Sequence, residues 1–312
     1  MKRKVGVNAR LCGLTLFCAW LVSFPFWAGG AQLKEPHGLA VDSSGKVFVT
    51  DSGNNRIQKL DSSGKLLAEW GSKGNGDGEF TYPRGITVDS SGNVFVADTH
   101  NQRVEKFDSQ GKFLLKWGTR GGKVEFFCPK GIGADASGNI YVVDNNKVQK
   151  FDSSGNLLTR WGSGGSGDGQ FNWPHAVAIS ASGTVFVADT NNHRIQRFSS
   201  SGKFLGKWGG LGSGDGQFNQ AGSVAVDSSG NVFVADTKNN RIQKFDSSGK
   251  FLGKWGSRGD DDGQFNSPFG VAVDSRGNVF VADTNNNRIQ KFDSSGKFLR
   301  KWGSRASATA GK

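Results

Sequence analysis

Apolar residues between Ser267 and Gly303 fall into four short runs separated by clusters of Asp, Ser, Asn and Gly. The runs are "FGVAVD" (Phe269–Asp274), "NVFVAD" (Asn278–Asp283), "RIQKFD" (Arg288–Asp293) and "KFLRKWG" (Lys297–Gly303). Each is too short for a helix, rich in Val, Ile and Phe, and bounded by turn residues, so each predicts a β-strand. The clusters between them supply Asp or Ser to bond the local backbone and Gly to take a positive φ. The predicted unit is a four-stranded antiparallel meander.

The same unit recurs along the chain. Its opening proline stands at Pro36, Pro83, Pro129, Pro174 and Pro268, with Ala221 in the fifth slot, at spacings of 47, 46, 45, 47 and 47 residues. The fourth run ends in Trp70, Trp117, Trp161, Trp208, Trp255 and Trp302, and three residues before each opening slot stand Leu33, Phe80, Phe126, Phe171, Phe218 and Phe265. Four strands per such period is the size of a propeller blade. An open solenoid would need polar end caps, whereas the sixth unit is as regular as the fifth. The expected fold is all-β, a six-bladed β-propeller over residues 32–304, with blades near 32–72, 80–119, 126–163, 171–210, 218–257 and 265–304. No spare strand is left to be exchanged between the first and last blades. Ring closure is therefore expected to rest on side-chain packing, with Leu33 and Pro36 at the seam.

The ends differ from the repeats. Lys2, Arg3, Lys4 and Arg10 precede an apolar run from Leu11 to Ala28, followed by "GGA". This is the layout of a signal peptide over residues 1–31, with an uncleaved membrane anchor as the alternative. The expected location is exported, periplasmic or extracellular. Residues 305–312 read as a disordered tail. Beyond the leader, 35 basic residues remain against 27 acidic ones, an excess of eight, which suggests anionic partners. Cys12 and Cys18 lie in the leader, so Cys128 is left alone. That excludes an intramolecular disulfide and a cysteine-based zinc site in the repeats, and Cys128 is expected as a small buried hydrophobe.

Most repeated residues read as construction. The Trp series occupies one strand position in every blade, suited to wedging neighbouring blades together. Asp51/Arg56, Asp98/Arg103, Asp189/Arg194, Asp236/Arg241 and Asp283/Arg288 sit on either side of one turn, where the Asp can cap backbone or meet the Arg. The "GDG" loops, as in "GSRGDDDGQF", do not carry the spacing of a twelve-residue calcium loop and read as turns before a buried Phe.

The stretch "PFGVAVDSRGNVFVADTNNNRIQKFDSSGKFL" resembles the NHL repeat almost position by position, and the resemblance runs from Gln32 to about Gly303. It implies a six-bladed propeller and leaves the chemistry open. Members of that family bind RNA or protein, and in tripartite-motif proteins ubiquitin transfer belongs to a separate RING domain, whose cysteines this chain lacks. A related propeller, the peptide-amidating lyase, holds zinc on three histidines that cannot be mapped here.

Specificity is expected where the copies differ. In a meander the start of strand one and the turn between strands two and three share one face, opposite the near-invariant D-S-S-G turns. The slot after the opening proline, which should rim the central channel, holds His37, Arg84, Lys130, His175, Gly222 and Phe269. The second-to-third strand turns hold Asn55, His100, Lys147, His193, Lys238 and Asn286, and the connections between blades add Lys73, Arg120, Lys123 and Arg258. Trp173, outside the Trp series, is the candidate exposed aromatic. This face is basic and loop-built, as recognition surfaces tend to be. His37 and His175 are expected to face each other across the channel, too far apart to share one metal ion. Blade 3, with its shortened "DNNKVQ" turn, directs attention to a blade 2–3 sector of Arg84, Arg120, Lys123, Lys130 and Lys147.

No triad, carboxylate pair or metal motif stands out, so the expected function is a non-catalytic, monomeric binding or scaffold module without a cofactor. Its expected ligand is a protein or an anionic polysaccharide rather than nucleic acid, with membrane contact only through an uncleaved leader. The alternatives are a lyase or hydrolase with its site in the channel mouth, and an RNA-binding domain.

Overall fold

The computed structural model describes residues 32–118, 121–122 and 124–303. The expected leader and tail therefore lie outside the described residues, as do Arg120 and Lys123. No helix among the described residues is long and apolar enough to cross a membrane.

Six four-stranded antiparallel sheets follow one another in chain order, each a simple meander. Blade 6 is typical, with strands Pro268–Val273, Val279–Asp283, Arg288–Phe292 and Phe298–Trp302, and a 3-10 turn at Thr284–Asn286 between the second and third. The two central strands are buried on both faces, and so they read as near-continuous apolar runs. The fourth strand is less buried, alternating half-buried and exposed positions in blades 2, 4 and 5, because only one face is covered. Its outward residues include Leu67, Leu114, Leu158, Leu205, Leu252 and Leu299.

The core lies between blades rather than within them. Six apolar clusters fill six junctions, and each draws on two neighbouring blades. One joins Leu33, Leu39, Val47, Val49 and Leu60 of blade 1 to Ala272, Phe280, Ala282, Ile289 and Trp302 of blade 6, so the ring closes through the same packing that builds it. The Trp series supplies the wedges. Trp302 lies against Gly64, where a Cβ would come within 2.7 Å of the indole, and Trp70, Trp117, Trp161, Trp208 and Trp255 stand likewise against Gly111, Gly155, Gly202, Gly249 and Gly296. The D-S-S-G turn thus ends in glycine for two reasons, a positive φ and a neighbouring indole.

Closure also uses hydrogen bonds that packing alone did not foretell. The hydroxyl of Thr99, Thr190, Thr237 or Thr284 donates to the carbonyl at the opening slot of the next blade, and across the seam Thr284 Oγ1 reaches Pro36 O at 2.8 Å. Thr237 makes the internal equivalent to Pro268 O at 2.9 Å. Thr284→Val and Thr237→Val should each cost about 1 kcal/mol, read from urea unfolding midpoints. A silent Thr284→Val beside a costly Thr237→Val would show that the seam is open in solution.

The five sequence pairs of Asp and Arg are ion pairs, with Arg Nε to Asp Oδ2 at 2.7–2.9 Å. The same aspartate holds the approach to the first strand, as Asp236 Oδ1 accepts from Asn219 N–H at 2.8 Å. The arginine ties down the connection between blades. Arg241 Nη1 donates to Ser213 O, and Nη2 donates to Gly214 O and Gln217 O. Blade 3 breaks this pattern. Lys147 replaces the arginine, the turn after Asp144 shrinks to two residues, and the 3-10 turn is gone. Cys128 departs from expectation: it is only half-buried. It stands in the slot before the opening proline, on the loop face, where its N–H donates to Asp144 Oδ1 at 2.7 Å.

Candidate functional site at the channel mouth

The first strands line the central channel, and their backbones approach closely. A Cβ on Gly85 would lie 2.2 Å from Lys130 O, and one on Gly270 would lie 2.1 Å from His37 O. Side chains one position earlier have nowhere to go but the channel axis. His37, Arg84, Lys130, His175 and Phe269 therefore converge on one cavity of about 80 Å³, with Gly222 leaving space on the blade 5 side.

Phe269 occupies the centre of this set. Its ring centroid lies 4.8 Å from that of His37 and 5.2 Å from that of His175. Both histidines therefore pack against one phenyl ring from blade 6. Among the described residues no group of three or more His, Cys, Asp or Glu is placed to hold a metal ion. Lys130 Nζ lies 2.7 Å from His175 Nε2 and 4.2 Å from the Trp173 ring centroid. Arg84 lies over Tyr82, which also touches His37 and stacks on His100 at 5.2 Å. His37 Nδ1 is 3.2 Å from Glu35 O, and Glu35 accepts a hydrogen bond from Tyr82 Oη at 2.9 Å.

Burial and mutual repulsion set the charges. Burial, then the Arg84 charge, lowers His37 to about 4. His175 falls well below its ordinary value through burial and the charges of Lys130 and Arg84. Burial brings Lys130 down to about 8, with Arg84 pushing the same way and Cys128 opposing. At neutral pH both imidazoles are therefore uncharged and Lys130 is an ammonium. An ammonium can only donate, so it donates to His175 Nε2, and Nδ1 of that ring carries the remaining proton. Both this Nδ1 and Arg84 Nε are buried without a hydrogen-bond partner among the described residues. No carboxylate is among the residues that line the cavity, and neither Arg84 nor Lys130 has an ion-pair partner among the described residues.

The other candidates lie elsewhere. Trp173 is 41% exposed at the rim, where it shields Lys130. His100 is exposed on the far side of Tyr82, and Lys238 is exposed on its own turn. Lys147 is exposed and lines a separate hollow with Gln102, Glu125, Phe127 and Asn145. His193 takes the place that Asn240 and Asn287 take in other blades, and its Nδ1 accepts from Gln220 N–H at 3.0 Å. The blade 2–3 sector is thus brought together only in part: Arg84 and Lys130 share the cavity, and Lys147 does not. Sequence reading missed Tyr82 and Glu35. Their signal was the residue before the opening proline, which varies as Glu35, Tyr82, Cys128, Trp173, Gln220 and Ser267. Five of these six adopt a left-handed φ between 48° and 63°, which turns their side chains onto the rim.

A family model for the NHL repeat matches residues 33–60, 80–107, 171–198, 218–245 and 265–292. The chain is an NHL-repeat protein and a six-bladed propeller. Blade 3, with its altered turn and missing arginine, is the one blade the NHL model does not match. Among solved structures the chain is similar to a streptogramin B lyase, at 15% identity over 87% of this chain and 84% of that one, with a TM-score of 0.61. A catalytically inactive virginiamycin B lyase from Staphylococcus aureus with quinupristin aligns at 16% identity over 88% and 86%, with a TM-score of 0.61. A gluconolactonase from Xanthomonas campestris aligns at 15% over 82% and 85%, with a TM-score of 0.63. At such identities the likeness shows the propeller fold alone. No curated protein matches the sequence.

Proposed function

We propose that this NHL propeller is an exported, non-catalytic binding module that takes an anionic group of a polymeric ligand into its channel mouth. One observation carries the reading: Arg84 Nε and His175 Nδ1 are buried, unpartnered N–H donors beside the Lys130 ammonium, in a cavity with no carboxylate in its lining. A buried donor without an acceptor costs about 1–3 kcal/mol, and an anion offsets that cost. Trp173, Tyr82 and His100 add an aromatic rim suited to the backbone of a peptide or the face of a sugar ring. The acidic residues of a protein or the uronates of a polysaccharide supply the anion, and the ring acts as a rigid monomeric platform.

The test is calorimetric titration with polygalacturonate and with poly-glutamate. Arg84→Gln should weaken binding about tenfold, and raised salt should weaken it further. Lys147→Glu, outside the cavity, should change affinity much less. Equal binding by wild type and Arg84→Gln would overturn the channel-mouth reading. Binding of single-stranded RNA alone, with the slope against salt that phosphate contacts produce, would replace it with nucleic-acid recognition.

A further inference from the structure

Lys130 differs in its partners from the other lysines that make side-chain contacts. Lys116, Lys207, Lys254 and Lys301 pair with exposed aspartates. Lys59, Lys106 and Lys244 donate to backbone carbonyls of the next blade, on the opposite face of the ring. Lys130 is 7% exposed, has no carboxylate, and donates instead to the neutral imidazole of His175 at 2.7 Å. Arg84 lines the same cavity. A carboxylate would clamp a lysine in its protonated form, whereas an imidazole can accept the proton and return it. Burial and the Arg84 charge both make that proton easier to lose, and Lys130 titrates near 8.

We infer that Lys130 is a nucleophilic amine that captures small 2-oxo acids as a covalent imine, with Arg84 holding the carboxylate and His175 carrying the proton. This goes beyond the binding role and rests on the same reading of the channel mouth as an anion site. In the step, the Lys130 ammonium passes one proton to His175 Nε2, whose basicity rises as the Lys130 charge that helped to lower it is lost, and the freed Nζ lone pair adds to the carbonyl carbon. A second nitrogen-bound proton shifts to the carbinolamine oxygen. The His175 proton then joins that oxygen, the C–O bond breaks, and water leaves. The product is a protonated imine with one hydrogen on nitrogen, and charge is conserved throughout. The cavity of about 80 Å³ limits the partner to the smallest members of the class.

The full chain is incubated with glyoxylate and cyanoborohydride near neutral pH, and the reduced adduct is mapped by peptide mass spectrometry. Lys130 should be modified at least tenfold faster than Lys207 and Lys254, although both are far more exposed. Arg84→Gln should slow modification by glyoxylate severalfold more than modification by acetaldehyde, which has no carboxylate and feels only the loss of the Arg84 charge beside Lys130. His175→Gln should slow both at Lys130 and leave the surface lysines unchanged. Lys130→Arg should lose the adduct at that site, with an unchanged melting curve confirming the fold. Modification of Lys130 no faster than of the surface lysines would overturn the inference. If polygalacturonate or poly-glutamate still binds in an Arg84-dependent way, the covalent step alone has failed; if neither binds, the anion site has failed with it.

Discussion

Asp236→Ala should lower the unfolding free energy by about 3–5 kcal/mol, because it removes the acceptor on which a whole blade corner converges. Asp236 is fully buried. Its oxygens accept from Asn219 N–H, Asn239 Nδ2, Arg241 Nε at 2.7 Å and Gln243 Nε2 at 3.0 Å. Alanine leaves the Arg241 guanidinium buried, its Nη groups still tied to the loop carbonyls and its charge without a counter-ion. Desolvation without pairing is the expensive outcome. Asp144→Ala in blade 3 is the control. Asp144 is buried and accepts from Phe127 N–H and Cys128 N–H, but an exposed Lys147 stands where blades 2, 4, 5 and 6 bury an arginine. Its loss should cost less, since no buried guanidinium is stranded. Urea unfolding with fixed slope compares the two. Equal costs would mean that the aspartate acts through its backbone caps and not through the ion pair.

Glu105→Gln should stabilise the protein by about 1–3 kcal/mol at pH 8 and have little effect at pH 5. Every other blade has glutamine at this position: Gln58, Gln149, Gln196, Gln243 and Gln290. In blades 4 to 6 its Nε2 donates to a loop carbonyl at 2.6 Å and to the blade's aspartate at 3.0–3.1 Å, while Oε1 accepts a glycine N–H at 3.0 Å. Glu105 keeps the acceptor half, toward Gly78 N–H at 3.2 Å, and turns the donor half into a second carboxylate beside Asp98. Burial pushes its carboxyl up to about 7; the Asp98 charge adds to this, while Arg103, with Nη2 at 2.9 Å, and Lys116 oppose it. In the unfolded chain the group ionises near 4.5. Between those values the folded state holds the extra proton, so stability falls as pH rises from about 4.5 through about 7. Glutamine donates without titrating and removes that loss. Melting temperatures of both proteins at pH 5 and pH 8 check this, and the difference between them isolates Glu105 from the other titrating groups. A Glu105→Gln gain of the same size at both pH values would exclude the buried-acid explanation.

The repeat alone determined the propeller, because its evidence is local and redundant. Short apolar strands, D-S-S-G turns and the Asp/Arg pairs each state the same blade six or nearly six times, and any one blade can be folded in words from its own residues. The role of the Trp series as wedges was also legible, since one strand position repeated around a ring has little else to contact. What remained hidden depends on neighbours far apart in the chain. That glycine of the D-S-S-G turn must yield to an indole of the preceding blade follows only once blades are stacked. His193 looked like a variable loop histidine, yet it holds the backbone of a residue 27 positions on. Counting from the opening proline singles out the channel slot, but counting gives no distances across a ring. Only the assembled ring shows Phe269 in contact with two histidines, and Lys130 pressed against His175 rather than against a carboxylate. Strand periodicity decides which way a side chain points. Whom it meets at the axis, and the charge it keeps there, depend on burial and on the five other blades.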